Sequence, residues 1–266
     1  MLRLRRHLRA PVVRCLLGAV ACASSAVGSG QDRWADVRVV GPFLCRSEFR
    51  LDQVPGVLAD LGRLEMDLAG ALGLKPAGQT IHVFFFRGQK SYRSYLKQFF
   101  PGVPYRRALF LKRNGVGMVF AYRSTQLGVD VRHECTHALL HATLPVVPLW
   151  LDEGLAEYFE APPLERAFGS PHLASVRWMA RLGIIPKLEK LEAIGNLDGM
   201  GPSEYRNAWA WVHFMLHGPA EARQSLWEFL ADLEASTPPG YLSARLRWRL
   251  PDLKRQFANH FKRWKR

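Results

Sequence analysis

His133 and His137 stand four residues apart, with Glu134 beside the first. On an α-helix such a pair lies on one face, so both imidazoles can grip one metal ion only if the surrounding chain is a single unbroken helix. That requirement constrains the fold more than any other feature. Residues 126–144 meet it: the stretch has one glycine, Gly128, near its start, and it ends at Pro145, which cannot continue a helix. The pattern His-Glu-x-x-His arises by chance in roughly 1–2% of chains with these residue frequencies, so an accidental match is already disfavoured. Glu134 is placed to act on a water held at the same ion.

A second helix has to bring the third ligand. Glu153 follows His137 by sixteen residues, within Trp150-Leu151-Asp152-Glu153-Gly154-Leu155-Ala156-Glu157-Tyr158. Three protein ligands and one open position describe a catalytic zinc (Zn2+) site rather than a closed structural one. Glu157 shares the face of Glu153 and is expected to accept the second ring N–H of a ligating histidine. Glu160 is expected to be a solvated acid on the outer face. His141 lies a full turn too far along the axis to share a tetrahedral site with His133, and is read as a surface or core histidine.

The run His133-Glu134-Cys135-Thr136-His137-Ala138-Leu139-Leu140, followed by Pro148 to Glu160, resembles the gluzincin branch of the zincin metallopeptidases. That group includes thermolysin and the membrane alanyl aminopeptidases. The element Leu149-Trp150-Leu151-x-Glu153-Gly154-x-Ala156 is similar to the aminopeptidase form, in which the glutamate before the glycine binds zinc. The chain as a whole resembles small exported bacterial peptidase-MA-like proteins. The strong similarity spans about residues 133–160, with weaker agreement over roughly 38–216. The resemblance implies a zincin-like fold and metal-assisted hydrolysis of peptide bonds. It also implies a tyrosine at the start of a later helix that stabilises the oxyanion, and Tyr205 matches that place. A phenol there can donate to a developing alkoxide. His213, eight residues on, is read as a core histidine. One departure matters. Aminopeptidases hold the substrate amine with a glutamate in a Gly-x-Met-Glu-Asn strand, whereas Gly115 to Tyr122 carries no acid. Aminopeptidase specificity is therefore not expected. The alternation in Val116 to Tyr122 reads as an edge strand against which an extended peptide could pair.

The charge of +14 is misleading if spread over 266 residues. Five arginines in residues 1–30, and nine basic residues against one aspartate in residues 245–266, account for all but one of it. The body between is nearly neutral. Residues 1–30 read as a secretory signal: a basic start, an apolar run from Leu16 to Val27, and small residues at its end. An uncleaved membrane anchor or a basic disordered arm is the alternative. Ala19-Val20-Ala21-Cys22 loosely resembles a bacterial lipoprotein cleavage box but lacks its usual leucine. At the other end Leu253, Phe257, Phe261 and Trp264 form one apolar stripe ringed by lysines and arginines. Docking on the domain with a solvated basic side is the favoured reading, and attachment to an anionic membrane surface or an acidic polymer is the alternative. No nucleic-acid motif is present, and a monomer is expected. Cys45 and Cys135 belong to the body, and nothing in the sequence fixes a disulfide between them.

The rest reads as an α+β domain. Residues 37–49 form a strand bent at Gly41-Pro42, and residues 55–72 an amphipathic helix. Residues 80–86 form an apolar strand, followed by a helix through 92–99. Residues 108–111 and 116–122 form a hairpin around Asn114-Gly115. Helices follow to the end. The expected architecture is an N-terminal mixed sheet with helices, packed against a C-terminal helical lobe. A signal peptide (1–30), a zincin-like domain (31–250) and a basic amphipathic helix (251–266) divide the chain. The function expected is that of an exported zinc metallopeptidase. A catalytically inactive zincin that binds peptide or cell-surface ligands, and a zinc amidase acting on a non-protein amide, are the alternatives.

Overall fold

The computed structural model of the chain describes residues 33–265; the expected signal peptide lies outside the described residues. A five-stranded mixed sheet forms the N-terminal half, in the order β1-β2-β3-β5-β4. Its strands are β1 (Asp36–Val40), β2 (Phe43–Ser47), β3 (Ile81–Phe86), β4 (Ala108–Arg113) and β5 (Val116–Tyr122). β2, β3 and β5 run parallel, while β1 and β4 are antiparallel edges.

The apolar run in β3 has a direct cause. Val83 and Phe85 point to one face of the sheet, and Phe84 and Phe86 to the other, and both faces are buried. Helices α1 (Pro55–Leu72) and α3 (Leu127–Thr143) cover the first face, and α2 (Gln89–Phe99) covers the second. Under α2 lies an aromatic cluster of Phe84, Phe86, Tyr92, Tyr95 and Phe120 joined by Trp34.

Two sequence expectations change here. Residues 37–49 are not one bent strand: Gly41-Pro42 closes a two-residue turn, with Val40 paired to Phe43, so β1 folds back on β2. β5 is not an edge strand. It lies between β3 and β4, and β4 forms the sheet edge on that side. The hairpin itself is as expected, with Asn114 and Gly115 both at positive φ (51° and 81°). Alternation marks a strand, but both faces of an inner strand can alternate as well, so position in the sheet was not encoded in it.

The C-terminal lobe is helical: α4 (Leu149–Phe159), α5 (His172–Arg181), α6 (Leu188–Glu192), α7 (Pro202–His217), α8 (Ala220–Glu234), α9 (Leu242–Arg249) and α10 (Leu253–Arg263). The fold is therefore α+β, with strands first and helices after. α10 docks on the lobe, burying Leu253, Phe257 and Phe261 in the main core. Each such side chain is worth roughly 1.5–3 kcal/mol when buried, so the apolar stripe belongs to the domain. Cys45 and Cys135 are both buried and free. Burial pushes the Cys45 thiol up to about 12 and raises Cys135 as well, so both stay protonated. No described helix is long and apolar enough to cross a membrane.

Candidate metal centre

α3 lies with Val131, Cys135, Ala138 and Leu139 in the core, while His133 and His137 turn toward Glu153 of α4. α4 faces it. The approach of α4 is set from behind by Gly154. A Cβ at that position would meet the backbone carbonyl of Ala208 in α7 at 2.9 Å, so only glycine lets α4 and α7 pack this closely. Glu153, next in sequence, is thereby held against the two histidines.

The geometry converges on one oxygen. His133 Nε2 and His137 Nε2 each lie 3.8 Å from Glu153 Oε2, and the three donor atoms all fall within 4.8 Å of one another. Two donors ~2.1 Å from one zinc ion at the tetrahedral angle are about 3.4 Å apart, so each histidine–glutamate pair stands within tenths of an ångström of that separation.

The other nitrogen of each ring is also engaged. His133 Nδ1 donates to Glu160 Oε2 at 2.9 Å. His137 Nδ1 lies 2.9 Å from Asp152 Oδ1, off the N–H axis, so this is a charge contact rather than an aligned hydrogen bond. A carboxylate beside Nδ1 favours the tautomer with its proton there and leaves Nε2 as the free donor atom. Asp152 turns its second oxygen to His141 Nε2 at 2.9 Å, and His141 stacks on Phe110 of β4.

The donor set therefore fits a divalent cation. Asp152, Glu153 and Glu160 surround two imidazoles, and this cluster calls for positive charge. Burial alone would depress the His133 pKa, yet Glu153 and Glu160 carry it well above 6.5. Burial likewise opposes charge on His137, and Asp152 raises it. Burial would lift the Asp152 carboxyl, but His137 and His141 hold it below its ordinary value.

Two expectations about the acids are corrected. Glu157 lies within 4.8 Å of His133 and Glu160, but it makes no hydrogen bond to either candidate histidine ligand, and its Oε2 pairs instead with His172 Nε2 at 2.9 Å. Glu160 is not a solvated outer acid; it performs the role expected of Glu157, on His133. Glu153, Glu157 and Glu160 are spaced by four and three, so helix phase put all three on one face. The helix ends as Glu160 is reached, and Arg132 Nε holds the Glu160 carbonyl at 2.5 Å, which brings the side chain inward. Asp152 was missed. Its adjacency to Glu153 was the available signal, but neighbours on a helix point about 100° apart and only the packing of α3 on α4 shows that both reach the pair.

Glu134 is half-buried and, among the described residues, makes no hydrogen bond or ion pair; its charge reaches His133 and Tyr92. Tyr205 opens α7. Burial raises its pKa and the charges of Glu153 and Glu157 raise it further, while Arg106 opposes them. Its hydroxyl is therefore within electrostatic reach of Glu153 and Glu157. His213 is a core histidine: it is fully buried, with Nε2 donating to the Ala167 carbonyl at 3.1 Å and Nδ1 accepting from His260 Nε2 at 3.0 Å. No protein-family model matches the chain, and no curated protein matches it.

Proposed function

We propose that this chain is a zinc-dependent peptidase of the gluzincin type with a zincin-like fold. The observation that supports it most is the convergence of His133 Nε2 and His137 Nε2, each 3.8 Å from the same Glu153 oxygen, with a separate carboxylate behind each ring. Zinc bound there supplies Lewis acidity, which lowers the pKa of water to near neutrality and polarises a carbonyl.

The remaining steps are carried by side chains. His133, His137 and Glu153 would hold the ion, while Glu160 and Asp152 orient the two rings. Glu134, which has no hydrogen-bond or ion-pair partner among the described residues, would accept a proton from the attacking water and pass it to the leaving amine. Tyr205 donates a hydrogen bond to the carbonyl oxygen as charge builds on it. The edge of β4 gives an extended peptide a strand to pair with. With no acid in Val116 to Tyr122 to hold a free amine, cleavage within chains is the better fit. We read the protein as exported, on the strength of residues 1–30.

The test joins metal content to turnover. Purified protein should hold about one zinc per chain and cleave members of a broad peptide library in a zinc-dependent way. Glu134→Gln should keep zinc and fold while losing 10²–10⁴ in hydrolysis. Tyr205→Phe should lose roughly 10–10³ with KM little changed. A protein that binds zinc and peptides but cleaves none, with Glu134→Gln binding identically, would replace the enzyme with a binding protein.

A further inference from the structure

A second surface stands apart from the cleft. α5 is packed on the lobe through Leu173, Val176 and Ala180, and its far side is open. There Trp178 is 59% exposed, Leu182 56% and Ile184 48%. Trp178 and Leu182 are four apart and share that side, with Ile184 just beyond the helix end. Residues 183–187 then run beside α10. Gly183, Ile185 and Lys187 form one wall of a shallow groove, and Lys254, Ala258 and Lys262 form the other.

The charge around this apolar ridge has one sign. Arg177, Arg181, Lys187, Lys254 and Lys262 make no ion pair among the described residues. The nearby acids are taken: Asp252 by Arg255, and Glu189 by Arg247. An exposed tryptophan with two aliphatic side chains, ringed by unpaired cations, matches the interface of an anionic bilayer. The aromatic ring settles at the headgroup level while the basic groups meet lipid phosphates.

We propose that this face, α5 with the 183–187 segment and the basic side of α10, seats the protein on an anionic lipid bilayer. The apolar stripe of α10 cannot make that contact, because Leu253, Phe257 and Phe261 are in the core. α10 contributes only its charged side, and insertion falls to Trp178, Leu182 and Ile184. A second copy of the chain is disfavoured, since two such rings of cations would repel. A soluble polyanion would use the cations but not the ridge. The proposal stands independently of the metal reading.

The experiment titrates the full chain onto phosphatidylcholine vesicles with and without 30% phosphatidylglycerol. The quantity read is the gain that phosphatidylglycerol brings, so any contribution of the apolar run at Leu16 to Val27 is common to every variant. Each cation at an anionic surface strengthens binding about fivefold. Lys254→Glu with Lys262→Glu should therefore cut the gain by at least ~20-fold, and 0.5 M NaCl should erase most of it. Trp178→Ser with Leu182→Ser should weaken binding about tenfold or more. Lys90→Glu with Lys97→Glu, on α2, should change little. All six positions are exposed, and circular dichroism confirms each fold. Failure of the wild type to bind anionic vesicles more tightly, or a gain within twofold of wild type in the Lys254/Lys262 variant, overturns the proposal. Loss of binding on charge reversal with no effect of the Trp178/Leu182 change overturns it in favour of a polyanion site.

Discussion

Asp152→Asn tests whether the outer carboxylates tune this centre. Asp152 is buried, and its two oxygens serve two rings: Oδ1 lies 2.9 Å from His137 Nδ1 and Oδ2 lies 2.9 Å from His141 Nε2. Asparagine keeps the size but has one acceptor and one donor. If its oxygen stays toward His137, the ring keeps its tautomer and loses a negative charge behind it. If the amide flips, an NH2 faces Nδ1 and drives the proton to Nε2, the atom a metal needs. Loss of such an outer partner costs 10- to 100-fold in metal affinity, or about 1.4–2.7 kcal/mol. The off-axis approach to His137 places Asp152→Asn near the lower end. Glu160→Gln should reach the upper end, because its 2.9 Å hydrogen bond to His133 is aligned. Glu157→Gln should cost less than about threefold, since its partner is His172 rather than a ligand. The assay is zinc competition against a chelator of known affinity at neutral pH, with circular dichroism to verify the fold. A larger loss for Glu157→Gln than for Glu160→Gln would refute the assignment of the outer carboxylates.

Other predictions address packing and acid stability. Gly154→Ala should destabilise the fold by about 1–3 kcal/mol through overpacking against the Ala208 backbone, and urea unfolding reads it; an unchanged midpoint refutes the close-packing argument. In the metal-free protein, His260 is held to about 4 by burial and by His217, and burial likewise lowers His213. A histidine pKa depressed on folding stabilises fully above about 6.5 and loses that contribution as pH falls toward 4, because the unfolded chain binds the proton first. The stability advantage of wild type over His260→Gln should therefore shrink by up to ~3 kcal/mol between pH 7.5 and pH 4. An advantage independent of pH would show that this buried ring carries no proton linkage. Arg132→Ala removes a guanidinium 2.7 Å from Asp60 in α1 and releases the Glu160 carbonyl. It should cost about 1–3 kcal/mol, because Asp60 is partly buried and keeps Arg63 at 3.4 Å, and a thermal midpoint within 2 °C of wild type (roughly 1 kcal/mol or less) would count against that pair.

The sequence by itself determined the elements whose causes are local. The helix through His133 and His137 is bounded by Pro145, α1 runs from Pro55 to Leu72 as its periodicity required, and Asn114-Gly115 turns the hairpin. Spacing alone also put the two histidines on one face, and the resemblance of the Glu153-Gly154 element singled out Glu153 among three acids that share a helix face. The tertiary structure decided everything that depends on which distant segments touch. It made β5 an inner strand and β4 the edge, and folded residues 37–49 into a hairpin. It exchanged the roles of Glu157 and Glu160, and it set Asp152 between His137 and His141. A helix wheel fixes the direction of a side chain but not what stands opposite it. That is settled by the approach of α4 to α3 and α7, which rests on the missing Cβ of Gly154 and on a core drawn from Phe43 to Phe261.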